Sequence, residues 1–350
     1  MIPPDEVPDQ DSDQAPDQPP EPRAAPAPES LPAESRAAPS PLRPPVHSTG
    51  FLRTILWNDR ELRAGWRLLV YLLLAFLFTT VATFAAVMLH LPQISRAAVT
   101  AGSILTQDGL GVLAALAAAA IMAMLESRRF GDYGLPLAGA FRAPFWQGAA
   151  WGIGMITAML LLIRSFGGFS FGTVALQGSA IWSYAALWGV AFLIVGLFEE
   201  FLFRGYSLFT VATGVGFWPA AVALSAAFGA IHLQNSGEDR VGALSVFTIG
   251  MFFCLTLRRT GNLWFAVGLH AAFDWGETFL YSVPDSGLVA PGHLLSSSFH
   301  GPVWLTGGSV GPEGSVMAFG VIALAAAAFA LVYPGRVAPA SAGGTGNGNE

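Results

Sequence analysis

Three charged side chains interrupt one otherwise apolar segment, AFLIVGLFEEFLFRGYSLF. Glu200 and Arg204 are four residues apart, so in a helix they share one face and can form an ion pair. An ion pair that locks helix packing explains these two residues, but it leaves Glu199 unexplained. The carboxylate of Glu199 lies about 100° around the helix from that of Glu200. It therefore remains available for proton transfer, which is the chemistry of a general base.

Two further segments carry histidines at helical spacing. The sequence FGAIH places Phe228 and His232 one turn apart, and GLHAAFDW places His270 and Asp274 on one face. A single histidine in an apolar helix is usually a packed, hydrogen-bonded side chain. Two histidines, an aspartate and a glutamate pair on three apolar segments indicate a shared buried site, because ionisable groups in a membrane need a partner or a purpose.

The composition of the chain determines which elements must position these groups. Of 350 residues, 53% are hydrophobic and only 11% are charged, against about 25% charged in a soluble domain. This excludes a soluble globular enzyme. Lipid offers no hydrogen bonds to the backbone, so the apolar segments should be helices. The sequence therefore predicts an all-α polytopic membrane bundle of about eight transmembrane helices, at 66–90, 109–126, 145–163, 181–209, 217–233, 241–257, 262–282 and 315–333.

The chain divides into three parts by composition. Residues 1–50 contain 14 of the 24 prolines, nine acidic residues and three arginines, so they carry the whole formal net charge of −6. Such a segment buries too little apolar surface to fold, and we expect a disordered tail. Residues 51–336 form the predicted membrane domain, and residues 337–350 read as a flexible tail. No basic surplus points to a nucleic-acid partner.

Arginines predict the orientation in the membrane. With the N-terminus in the cytoplasm, 13 arginines fall in inner segments and three in outer loops, Arg96, Arg164 and Arg240. Arg204 lies within a span and is not counted. The excess of positive charge inside predicts that both termini are cytoplasmic. All 17 basic residues are arginine, and this Arg-only, Ala/Gly-rich composition suggests a bacterial protein of the inner membrane.

The three motifs resemble the CAAX-protease and bacteriocin-processing (CPBP, or ABI) family of intramembrane peptidases, which includes the type II CAAX prenyl endopeptidases. Its signatures EExxxR, FxxxH and HxxxN/D correspond here to EEFLFR at 199–204, FGAIH at 228–232 and HAAFD at 270–274. Each motif is short, but all three occur in order, each inside a predicted span. The resemblance covers about 100 residues, 181–282.

The resemblance implies hydrolysis of a peptide bond by a water held between Glu199 and His232. Glu199 would act as general base while the water attacks. Glu200, paired with Arg204, would fix the helix and keep Glu199 aimed at the water. The implied substrate is a membrane-associated peptide or protein, reached within the lipid bilayer.

The remaining motif residues have implied roles of their own. His270, oriented by Asp274, would stabilise the oxyanion of the tetrahedral intermediate, and Phe228 would exclude bulk water. At the last motif position the prenyl endopeptidases carry Asn, whereas this chain carries Asp274. An ionised aspartate is a poor donor to an oxyanion, which argues against a prenylated substrate.

A metal ion is a second implied possibility, because members of the family are often classed as metalloproteases. Glu199, His232 and His270 could bind zinc. The sequence lacks HExxH, the helical zinc signature. We favour a water activated by glutamate without a metal, while zinc remains possible.

Two other functions fit the same residues. A proton-coupled transporter could use them as a relay, but it would predict repeats with matched helix breaks, and we find none in the sequence. A non-catalytic membrane scaffold or bacteriocin-immunity protein could keep the family fold. The complete motif set favours the peptidase.

Overall fold

The computed structural model describes residues 62–93, 99–235 and 237–335. The predicted tails, 1–50 and 337–350, lie outside these ranges. The α-helices are α1 Ala64–Met88, α2 Ala101–Leu125, α3 Ala143–Ser165, α4 Ser179–Leu202, α5 Leu208–Val215, α6 Phe217–His232, α7 Arg240–Thr260, α8 Trp264–Trp275, α9 Val303–Thr306 and α10 Val316–Val332.

Shorter elements connect these helices. Two π-helical segments continue α4 and α8, and we name them π1, Phe203–Ser207, and π2, Gly276–Tyr281. The 3₁₀ turns are Phe130–Tyr133, Leu137–Gly139 and Pro312–Gly314. Two-residue strands, β1 Phe169–Ser170 and β2 Ser298–Phe299, pair antiparallel with Phe169 opposite Phe299.

The all-α membrane class is confirmed. Each of the eight predicted apolar stretches contains a helix. Five helical segments are long and apolar enough to cross a membrane: Ala64–Met88, Ala101–Leu125, Ala143–Ser165, Ser179–Val215 (α4, π1 and α5 together) and Arg240–Thr260. Large apolar side chains face outward, and Phe76 and Phe84 of α1 are 72% and 66% exposed. Lipid would cover such a surface. The number of eight crossings stays a prediction.

Helix α2 begins eight residues earlier than its apolar stretch predicts. The Thr100 hydroxyl accepts a hydrogen bond from the Ser103 amide at 3.1 Å, and the Ser103 hydroxyl accepts one from the Thr100 amide at 2.9 Å. This reciprocal capping box satisfies two amides and starts the helix. Asp108 therefore lies two turns inside α2 instead of before it.

Helix α8, which carries His270 and Asp274, packs in very close contact with α3. A Cβ atom added at Gly148 would lie 2.0 Å from the Phe265 carbonyl oxygen, and one at Gly152 would lie 2.2 Å from that of Leu269. Only glycine permits such backbone contact, as is usual where membrane helices pack tightly. The α3–α8 contact thus sets the position of one motif.

A break in the helix follows Arg204. Gly205 has φ −81° and ψ −120°, outside the helical region, and π1 joins α4 to α5 across this kink. Single π turns commonly occur at functional sites. The kink lies at the end of the EEFLFR motif.

Candidate active site

The three motifs converge on one cavity of about 300 Å³. Its walls come from α2, α4, α6, α7, α8 and the segments that follow α6, α8 and α9. Five of the seven residues singled out from the sequence line it: Glu199, Phe228, His232, His270 and Asp274. The other two, Glu200 and Arg204, have no solvent exposure and are buried against the residues that form its wall.

Glu200 and Arg204 contact each other as their spacing predicts. The Arg204 Nη1 atom lies 3.2 Å from Glu200 Oε1. The guanidinium also lies 4.2 Å from the ring centre of Phe228 and 5.3 Å from that of Phe253. The Phe203 ring centre lies 5.7 Å away as well. Aromatic faces attract cations, so a carboxylate and three rings hold this buried arginine.

His270 lies among three carboxylates. Its Nδ1 atom is 3.1 Å from Glu200 Oε1, and a carboxylate only accepts, so Nδ1–H donates to Glu200. The Nε2 atom is 3.5 Å from Glu199 Oε2 and 3.5 Å from Asp274 Oδ2. The ring stacks on Phe253 with centroids 5.1 Å apart. The sequence points to Asp274 as the group that orients His270, whereas the shortest contact is to Glu200.

His232 lines the cavity, and a backbone hydrogen bond fixes one of its ring nitrogens. Its Nδ1 atom lies 2.9 Å from the Phe228 carbonyl oxygen, which only accepts, so Nδ1 carries the proton. In the neutral ring Nε2 is then the acceptor. The Phe228 ring meets the imidazole edge-on, with centroids 4.6 Å apart. His232 is therefore held by the turn that precedes it.

The structure adds polar residues that sequence reasoning missed. Asp108 of α2 lines the cavity and interacts electrostatically with Glu199. Asn235, after α6, lines it too and donates to the Ser286 carbonyl at 3.1 Å. The signal for Asp108 was the capping box at Thr100, which lengthens the helix. The cavity is also lined by Thr278, Asp285, Ser286 and Glu313. The last three lie in loops, so the spacing of the helical motifs could not have predicted them.

The implied zinc ligands do not form a compact metal site in this arrangement. Among the described residues, the group of three metal-type side chains whose ligand atoms all lie within 4.8 Å of one another is Asp274, Glu277 and Asp285. Glu199, His232 and His270 do not form such a group. The side chains as arranged therefore do not fit a zinc ion shared by the three motifs.

The cavity is strongly acidic at the end formed by the loop after π2. Burial, and then the negative charges of Asp274 and Glu313, raise the pKa of Asp285 well above its usual range. A raised carboxylate pKa in a cavity makes this end a candidate functional region.

Comparison with known families supports the sequence interpretation. Residues 181–276 match the family model described as Type II CAAX prenyl endopeptidase Rce1-like. No curated protein and no solved structure gives a match to this chain. The matched segment contains all three motifs and confirms the recognition of a CAAX-protease-type family there. Together with the apolar helices, it identifies an integral membrane protein.

Proposed function

We propose that this protein is an intramembrane endopeptidase that hydrolyses a peptide bond of a membrane-associated peptide or protein. One observation carries the proposal. The half-buried Glu199 lines the shared cavity, and its carboxylate lies 3.5 Å from His270 Nε2. The other ring nitrogen of His270, Nδ1, donates a hydrogen bond to Glu200. The family match over the same segment supports it.

Glu199 acts as the general base. It accepts a proton from a water that attacks the scissile carbonyl carbon, and it later returns that proton to the leaving amine. His232 accepts a hydrogen bond from the water through Nε2, because Nδ1 is committed to the Phe228 carbonyl. The two side chains face the cavity from α4 and α6.

His270 donates from Nε2 to the oxyanion that forms on the attacked carbonyl. Preorganised donors of this kind are worth about 10²–10³ in kcat. Glu200 orients the ring through Nδ1, and Arg204 keeps Glu200 in place. Asp274, 3.5 Å from Nε2, assists in orienting His270. No step requires a metal ion.

The substrate class follows from the position of the site. The cavity is surrounded by apolar helices and combines aromatic walls, including Phe192, Phe198 and Phe253, with carboxylates. It suits an apolar peptide segment delivered from the bilayer. Asp274 in place of Asn favours a peptide without a prenyl group. We also propose a bacterial inner-membrane location with both termini in the cytoplasm.

The test is cleavage of a membrane-peptide library by the purified protein in detergent. Wild type, Glu199→Gln and Asp132→Asn are compared, and each is assayed with and without phenanthroline, which binds zinc strongly and calcium weakly. Asp132 lies in a 3₁₀ turn and accepts from the Arg129 amide, a bond that Asn retains. We expect cleavage to fall about 10³-fold in Glu199→Gln only.

The other outcomes separate the competing functions. Loss of cleavage with phenanthroline, restored by added zinc, would assign the reaction to a metalloenzyme. Equal inactivity of wild type and Glu199→Gln on a broad library would favour the scaffold. Proton uptake by vesicles containing the protein, abolished in Glu199→Gln, would favour the transporter.

A further inference from the structure

A second group of acidic side chains borders the active site. Asp274 lies in the last turn of α8, Glu277 in π2 and Asp285 in the loop that follows. One ligand oxygen of each carboxylate lies within 4.8 Å of the others. Only Asp274 belongs to the family motif, so the group is distinct from the implied zinc ligands.

Glu277 is the most unusual member of the group. It has no solvent exposure, and neither carboxylate oxygen has a hydrogen-bond partner within the described residues. Of the ion pairs between described side chains, Asp274 takes part in one with His270, whereas none involves Glu277 or Asp285. Burying an unpaired carboxylate is costly. Glu277 and Asp285 therefore have no ion-pair partner among the described side chains.

A fourth carboxylate is attached to the same region. Glu313 interacts electrostatically with all three members of the group. Its Oε2 atom accepts from the amide and the hydroxyl of Ser286, at 3.0 and 2.6 Å. Gly311, with φ +100°, brings its backbone against the Pro284 carbonyl, so the two loops are packed together. The loop positions of the carboxylates are thereby constrained.

We infer that Asp274, Glu277 and Asp285 form a binding site for a divalent cation that prefers oxygen ligands, and that Ca²⁺ is the fitting probe. The group offers carboxylate oxygens only, which suit hard cations. Oxygens on opposite sides of Ca²⁺ are about 4.6–5.2 Å apart, against about 4.2 Å for Mg²⁺. The three carboxylates lie within 4.8 Å of one another, which is close enough for all of them to contact one Ca²⁺ ion.

The cation site adjoins the catalytic groups through Asp274. The Oδ2 atom of Asp274 lies 3.5 Å from His270 Nε2, so a cation that fixes this carboxylate also fixes a neighbour of His270. This coupling rests on the proposed function, but cation binding does not. Binding is measured without a substrate, so the two can fail separately.

The experiment uses the purified full chain in detergent after treatment with EGTA. Binding of radioactive Ca²⁺ is measured at equilibrium for wild type, Glu277→Gln, Asp285→Asn and the control Asp132→Asn. We expect one saturable site per chain, at least tenfold weaker binding in the two cluster variants, and no change in the control. Circular dichroism and size-exclusion chromatography verify that each variant is folded.

Thermal unfolding provides the second measurement. We expect Ca²⁺ to raise the Tm of wild type and to leave that of Glu277→Gln unchanged. In EGTA, Glu277→Gln should unfold at or above the wild-type temperature, because it removes a buried negative charge. Absence of saturable Ca²⁺ binding by wild type, or equal binding by the folded cluster variants, would overturn the inference.

Discussion

Oε1 of Glu200 lies 3.1 Å from Nδ1 of His270, and the same oxygen lies 3.2 Å from Nη1 of Arg204. One buried oxygen thus joins the motif on α4 to the motif on α8. Glu199, the first residue of the EExxxR motif, places a carboxylate in the cavity. Glu200, the second residue, holds the His270 ring. Adjacent glutamates on a helix point about 100° apart, which allows this division.

Replacing Glu200 by Gln should affect both stability and activity. Arg204 would remain buried without its carboxylate, so the free energy of unfolding should fall by about 3–5 kcal/mol. The kcat/KM should also fall, because His270 loses a charged acceptor. Denaturant titration in detergent and peptide cleavage measure the two effects. The double variant Glu200→Gln/Arg204→Met should regain stability without activity. Recovery of activity would instead show that Glu200 only balances Arg204.

Replacing His232 by Asn should reduce cleavage by about 10²–10⁴-fold with little change in stability. The Asn amide can still donate to the Phe228 carbonyl, but it supplies no Nε2 acceptor to the water. His293→Asn is the matched control, because its Nδ1 also lies near a backbone oxygen, 3.5 Å from that of Ala290. Equal kcat values for the two variants would remove His232 from the reaction.

Adding one methyl group at Gly152 should displace the active-site helix. Its Cβ would lie 2.2 Å from the carbonyl of Leu269, the residue before His270. Overpacking of this kind costs about 1–3 kcal/mol, so we expect a lower Tm and a lower kcat. Gly154→Ala on the same helix meets nothing within 4 Å and should behave like wild type. Equal Tm values for the two variants would contradict the close α3–α8 contact.

Glu238→Gln should stabilise the protein at pH 8 and lose most of this benefit at pH 5. Burial, with a smaller contribution from the nearby Glu313 and Asp239 charges, raises the pKa of Glu238 to about 7 from 4.5. Because the folded pKa is the higher one, stability is lost as the pH rises through about 7. Gln keeps the bond from the Asp239 amide to Oε1. Thermal unfolding at both pH values measures the difference, and an equal gain at pH 5 and pH 8 would refute it.

The spacing of residues along the sequence was sufficient to predict the contacts within single helices. Glu200 and Arg204 meet because they are one turn apart, as do His270 and Asp274. The length of each apolar segment was sufficient to predict a helix, because lipid offers the backbone no hydrogen-bond partner. The cavity that joins the motifs then follows from the packing of α4, α6 and α8.

Tertiary contacts were not predictable in the same way. The contact between Glu200 and His270 spans 70 residues and depends on how closely α4 and α8 approach. Asp108 was missed because hydropathy alone starts its helix too late. Glu277 lies in a π turn, where α-helical spacing does not apply. Glu313 interacts electrostatically with Asp285 only because the two loops that carry them pack together.

The two π segments each hold a buried charged residue, Arg204 in π1 and Glu277 in π2. A π turn contains one more residue than an α turn, so deleting one codon in π2 would restore α-helical spacing there. Every following side chain in that helix would then rotate by about 100° relative to the preceding part. The acidic group at π2 could thus be gained or lost in evolution in a single step, while the EEFLFR, FGAIH and HAAFD motifs stay intact.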